Sequence, residues 1–135
     1  MLSGVQHCTF VVSDLERSRR FYREVLGLEE IPRPDSFDFG GAWLRVGTVD
    51  EIHLISESDG TARAGRTDHG AGGFMGFVPH VALESDDLDA VLGRAEEHGV
   101  LPASGPVPRG DGVTQAFVLD PDGYVIELFA RTGDA

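Results

Sequence analysis

Along residues 5–12, "VQHCTFVV", the side chains alternate with the two-residue period of a half-buried strand. Val5, His7, Thr9 and Val11 share one side, and Gln6, Cys8, Phe10 and Val12 the other. The next stretch, "SDLERSRRFYREVLG", changes to a helical period. Leu15, Ser18, Tyr22, Val25 and Leu26 form one stripe, Ser13 and Glu16 have capping-box spacing, and Gly27 ends the helix. Three short strand patterns follow, at 28–31 ("LEEI"), 41–47 ("GAWLRVG") and 51–57 ("EIHLISE"). The predicted order is strand, helix, strand, strand, strand.

The same order then recurs. "VPHVALESDDLDAVLGRAEEHGV" predicts a strand over 78–84 and a helix capped near Ser85 or Asp86, with Leu88, Val91, Leu92 and Ala95 on one face and Gly99 as its stop. Strands are predicted near 101–108, at 113–119 and at 124–129. The turn Asp120-Pro121-Asp122-Gly123 joins the last two as a hairpin, because proline fixes φ early and glycine takes positive φ. An offset of 73 lays Val5 on Val78, His7 on His80, Asp14 on Asp87 and Leu15 on Leu88, and an offset of 74 sets His53 opposite Glu127. Residues 1–135 therefore read as a single α+β domain of two paired βαβββ modules, about 4–57 and 78–131, joined by a Gly-rich linker over 58–77. Phe74, Met75 and Phe77 in that linker are candidate lid contacts.

Strand parity separates two faces. Cys8, Phe10, Val12, Ala42, Leu44, Val46, Ile52, Leu54, Val81, Leu83, Tyr124, Ile126 and Leu128 make one face apolar, suited to receive helices. The other holds His7, His53, His80 and Glu127, each on a different strand and at a matched place in the repeat, together with Trp43 and Arg45. Burying four such polar groups without partners costs on the order of 1–3 kcal/mol each. A shared divalent cation removes that penalty, and this nitrogen and oxygen donor set suits Zn, Ni, Co, Mn or Fe(II). His69 and His98 read as solvated, and Cys8 as packed beneath a helix.

Composition narrows the partners. Eleven basic against 23 acidic residues give a net charge of −12, which repels nucleic acid and anionic lipid. The longest apolar run falls far short of the roughly 20 residues of a membrane span. The start "MLSGVQHC" carries no secretion-signal pattern and the single cysteine forms no internal disulfide, so a cytoplasmic location is expected. Trp43, Arg45, Arg109 and Phe117 are the candidate substrate-binding residues, the arginines suiting an anionic small molecule.

The elements "VQHCTFVVSDLERSRRFYREVLGL", "PHVAL" and "LDPDGYVIELF" resemble the vicinal oxygen chelate superfamily, which includes glyoxalase I, methylmalonyl-CoA epimerase, extradiol dioxygenases, fosfomycin-modifying thiol transferases and bleomycin-resistance proteins. The resemblance covers nearly the whole chain. It implies two modules curled into an open mixed β-sheet barrel around a divalent metal, with the helices outside. It matches His7 and His80 to the paired histidine ligands and Glu127 to the terminal glutamate. At the fourth place glyoxalase I usually has glutamate and the epimerase glutamine, where this chain has His53. The expectation is a metal-dependent lyase or isomerase that chelates vicinal oxygens of a small substrate and stabilises an enediolate. Glu127 is its catalytic carboxylate, Glu51 and Glu57 are weaker candidates, and the assembly is a homodimer. The alternatives are an extradiol-type dioxygenase or thiol transferase on His7, His80 and Glu127, and a non-catalytic drug-binding resistance protein.

Overall fold

A computed structural model describes residues 1–58, 63–65 and 75–132, and its contacts divide the chain into two units, 1–65 and 66–135. Much of the expected linker, with His69 and Phe74, lies outside the described residues.

In the first unit, strand β1 (His7–Val12) leads into helix α1 (Leu15–Arg20), and β2 (Glu29–Ile31), β3 (Gly41–Val46) and β4 (Asp50–Ser56) follow. Its sheet has the order β1-β4-β3-β2, with β1 parallel to β4 and the other pairs antiparallel. The second unit repeats this plan after a short 3-10 turn at Met75–Phe77. Strand β5 (His80–Glu84), helix α2 (Leu88–Glu97), β6 (Ser104–Pro108), β7 (Val113–Leu119) and β8 (Val125–Arg131) form a sheet ordered β5-β8-β7-β6, with β5 parallel to β8. Both are the βαβββ modules that the repeated pattern predicts.

The helices start one or two residues later than expected. Asp14, rather than Ser13, caps α1, its side chain accepting the Arg17 N–H at 3.0 Å, while Ser13 Oγ accepts from the Arg17 guanidinium. Asp87, rather than Ser85 or Asp86, caps α2 by accepting the Ala90 N–H at 2.9 Å. A carboxylate reaches the third amide as well as a hydroxyl does and also complements the positive helix end. The two caps occupy equivalent places in the repeat.

The first helix does not end where the α-helical period would take it. It widens into a π-helical turn at Phe21–Val25, so Phe21 joins Ser18, Tyr22 and Val25 among the buried residues while Leu15 and Leu26 keep partial exposure. The extra residue in the turn rotates Phe21 inward, which a strict 3.6-residue stripe cannot anticipate. Phe21 meets Tyr22 edge-on, and Tyr22 stacks on Phe10 of β1.

Val12, Ala42, Leu44, Ile52 and Leu54 are buried on the helix-facing side of the first sheet, as parity predicts. In the second unit Ala116, Val118, Ile126 and Leu128 do the same, and α2 packs on β8. The β7–β8 hairpin is closed by Asp120, a buried carboxylate whose Oδ1 accepts the N–H groups of Asp122 and Tyr124, both at 2.9 Å, with Gly123 at φ 87°. Tyr124 precedes the strand instead of starting it.

Candidate functional site

In the first unit the register sets Thr9 and Trp43 on either side of His53, and His7 beside Glu51. The side chains of His7, Thr9, Trp43, Glu51 and His53 consequently project from one face. The imidazole of His53 lies between two flat rings: Trp43 at a centroid distance of 4.1 Å and 2° from parallel, and His7 at 4.2 Å and 15°. His53 Nε2 is 2.8 Å from Glu51 Oε1, and His7 Nδ1 is 2.6 Å from Gln6 Oε1. Hydrogen bonding from His53, then from Gln6, holds the Glu51 carboxyl below its usual range against the opposing effect of burial, with the nearby Arg45 charge adding to it. Arg45 reaches the Thr48 carbonyl at 3.4 Å through Nη1.

In the second unit a cavity of about 480 Å³ is lined by Gly76, His80, Val107, Arg109, Gln115, Phe117 and Glu127, among others. Phe117 is cross-strand from Glu127 and meets the His80 ring edge-on at 5.5 Å. Glu127 is buried, at 8% side-chain exposure, and its ion pair with Arg109 Nη1 is long, 4.0 Å. The Arg109 guanidinium gives its Nε and Nη2 to Asp111 at 2.8–3.1 Å, so much of the charge expected to meet an anionic substrate already has a partner. His80 donates from Nδ1 to the Val78 carbonyl at 2.7 Å.

The expected site residues thus fall into two sets: His7, Trp43, Arg45 and His53 in one unit, and His80, Arg109, Phe117 and Glu127 in the other. Among the described residues no three His, Cys, Asp or Glu side chains form a ready-made group for an ion. The donor chemistry within each set nevertheless fits a divalent cation. His80 spends Nδ1–H on a carbonyl and His7 spends its own on an amide oxygen, which leaves Nε2 of each ring with the free lone pair that a metal requires. His53 differs, because the nitrogen facing Glu51 is Nε2 and its remaining donor is Nδ1.

The structure also sorts the carboxylates. Glu51 is taken by His53, and Glu57 accepts the Ala64 amide at 2.7 Å, whereas Glu127 opens on the cavity. Sequence reasoning missed Gln6 and Gln115, and ranked Glu51 only as a weak base. Its position two residues before His53 on the same strand face was the available signal. Cys8 is half-buried beneath the sheet face that meets the helix, and burial pushes its thiol pKa up, away from nucleophilic character.

Comparison with known proteins adds to this geometry. Residues 4–128 match the family model of the Glyoxalase/Bleomycin resistance protein/Dioxygenase superfamily. The chain is 33% identical over 127 residues to a "Probable lactoylglutathione lyase" of Vibrio parahaemolyticus, covering 92% of this chain and 88% of that protein. It is 33% identical over 132 residues to a "Lactoylglutathione lyase" of Neisseria meningitidis, covering 95% and 91%. Among solved structures, the fosfomycin resistance protein FosX of Listeria monocytogenes has the same fold, with a TM-score of 0.68 at 23% identity over 96% of this chain and 94% of that one. Among the described residues no helix is long and apolar enough to cross a membrane.

Proposed function

Because the chain belongs to the Glyoxalase/Bleomycin resistance protein/Dioxygenase superfamily, we propose that it is a metal-dependent lyase or isomerase acting on a small substrate with two vicinal oxygens. His7, His53, His80 and Glu127 are the residues that would hold the cation. When bound, the cation supplies Lewis acidity to those oxygens and so acidifies the neighbouring C–H bond.

The chain's own residues do the rest. Glu127 takes the proton from one carbon and returns it to the next. The observation that carries this assignment is its place as a buried carboxylate on the 480 Å³ cavity while Glu51 and Glu57 are held by other groups. Phe117 walls the cavity and excludes water, and Arg109 stands ready to meet an anionic part of the substrate with the edge that Asp111 leaves open. The lactoylglutathione lyase relatives make a 2-hydroxyacyl thioester of glutathione the first substrate to test, interconverted with the thiol and a 2-oxoaldehyde. The experiment loads the purified protein separately with Zn, Ni, Co, Mn and Fe(II) and follows thioester formation and loss. Turnover with at least one metal that disappears in Glu127→Gln supports the reading, and no turnover with any metal overturns it.

A second reading rests on the engagement of His53 by Glu51. If the ring held by Glu51 does not also offer Nδ1 to the cation, the ligands are His7, His80 and Glu127, a set that leaves more open positions and suits dioxygenase or thiol-transferase chemistry. Likeness in fold to a fosfomycin resistance protein accords with this alternative. The proposal includes a homodimer in the cytoplasm, supported by the open strand edges and by exposed Phe77, Leu101 and Val107. Light scattering that gives a monomer at micromolar concentration would remove the dimer.

A further inference from the structure

Gln115 stands on the cavity of the second unit without a task in the chemistry proposed above. Alternation along β7 sends it to the same face as Phe117, and Phe117 pairs with Glu127 across β8, so all three line the cavity of about 480 Å³. The residue is only 6% exposed. Among the described residues its side-chain amide has no hydrogen-bond partner. Nor is the amide sealed in, since the side-chain polar atoms that are both shut off from solvent and unpartnered belong to Ser18, Arg33 and Arg45. The Gln115 amide is thus unspent and keeps its access to the cavity.

Its surroundings are apolar. Val107 and Phe129 lie opposite it on the two flanking strands, and Phe117 is two residues along its own. A leucine would fill this place with nothing polar to satisfy, whereas a buried amide that binds nothing is a cost to folding. An amide presents two N–H donors and one acceptor oxygen in a single plane. Another amide answers both halves at once. A carboxylate answers only the NH2 half, and for a carboxylate the same cavity has Arg109.

We propose that Gln115 is a specificity-determining residue that binds an amide in the non-reacting part of the substrate, which makes the substrate class peptide-like. This rests on the reading of the cavity as the substrate site. The apolar wall makes the contact selective, because a ligand without the amide leaves Gln115 buried and unpaired. Gln115 serves binding and not the fold, so its loss weakens the first and spares the second.

The test uses the fact that Gln6 and Gln115 carry the only side-chain amides in the chain, which has no asparagine. The nitrogen-15 spectrum of the full chain therefore has two side-chain NH2 pairs, and Gln115→Leu identifies one by its disappearance. The probes are S-methylglutathione, which has amides, and 3-(methylthio)propionate, a thioether carboxylate with none, each added to the metal-free chain and to the chain with Zn. The expected result is a shift of the Gln115 pair with S-methylglutathione and none with 3-(methylthio)propionate. Gln115→Leu should bind S-methylglutathione roughly 5-fold or more weakly and melt at or above the wild-type temperature. A Gln115 pair that S-methylglutathione does not move, whether that probe binds elsewhere or not at all, overturns the proposal. So does full affinity in Gln115→Leu, and so does a melting temperature several degrees lower, which would make the residue structural. A shifted Gln115 pair in a protein that turns over no thioester with any metal supports the amide site and overturns the lyase reading instead.

Discussion

Trp43 lies flat on His53, with ring centroids 4.1 Å apart and planes within 2° of parallel. The two residues are directly paired across β3 and β4, so the contact follows from strand register and does not depend on a loop. Trp43 is the only tryptophan in the chain, so its emission reports on the surroundings of this one ring, His53 among them. Adding a divalent cation that engages His53 is expected to change that emission, and His53→Ala should abolish the response. Trp43→Ala should lower unfolding free energy by roughly 2–4 kcal/mol in a denaturant titration, through lost packing and stacking.

Metal analysis of single variants tests the ligand set. His7→Ala, His80→Ala and Glu127→Ala should each bind Zn or Co at least about 10-fold more weakly than the wild type. Under the four-ligand reading His53→Ala behaves like them. Full retention of metal by His53→Ala alone would establish the three-ligand site and move dioxygenase or thiol-transferase chemistry ahead of the lyase.

A pH effect follows from the pair that joins α1 to β2. Arg19 gives two N–H groups to Glu30 at 2.6 Å each, with both side chains about three-quarters buried, and this holds the Glu30 carboxyl below its usual range. A depressed folded value means that the stabilisation is complete above the unfolded glutamate value of about 4.3 and is lost as pH falls through the lower folded value. Glu30→Gln should therefore melt lower than the wild type at neutral pH, by about 1 kcal/mol of stability. The gap should close in melts recorded progressively below pH about 4.

Ser18 is fully buried at the centre of the first helix, and its hydroxyl has no hydrogen-bond partner among the described residues. Alanine removes the unsatisfied oxygen at almost no change in volume and is the better helix former. Ser18→Ala should raise the melting temperature, by about 1 kcal/mol of stability. A lower melting temperature would mean that the hydroxyl has a partner after all.

Alternation made most of this architecture readable. Each predicted strand lies within a few residues of an observed one, and the two-residue period fixed which side of β1, β3, β4, β5 and β8 carries the polar groups, because a shift by one would have exposed Leu44, Ile52 and Ile126. The helix caps were misplaced because Ser13, Asp14, Ser85, Asp86 and Asp87 are all competent, and the competition is decided by where the chain leaves the sheet. The π turn was invisible for a different reason. Its widening answers to the packing of Phe21 and Tyr22, a tertiary demand that leaves no mark in the helical period. At the site, periodicity located every ligand candidate but not the neighbours each would bind. Whether Arg109 faces a substrate or Asp111 depends on a local loop conformation, and whether His53 is free or held by Glu51 depends on rotamers.

Among the described residues every strand ladder closes inside its own sheet, and α1 and α2 begin at equivalent aspartates. A chain built in this way behaves, under mutation, as two copies of a paragraph that can be edited separately. His53 and Glu127 hold the same place in the two copies, yet one is an imidazole and the other a carboxylate, and neither difference disturbs a strand pairing. The scaffold thus buffers heredity against chemistry: duplication supplies matched positions, and single substitutions on one copy can retune charge at a site without rewriting the fold that presents it.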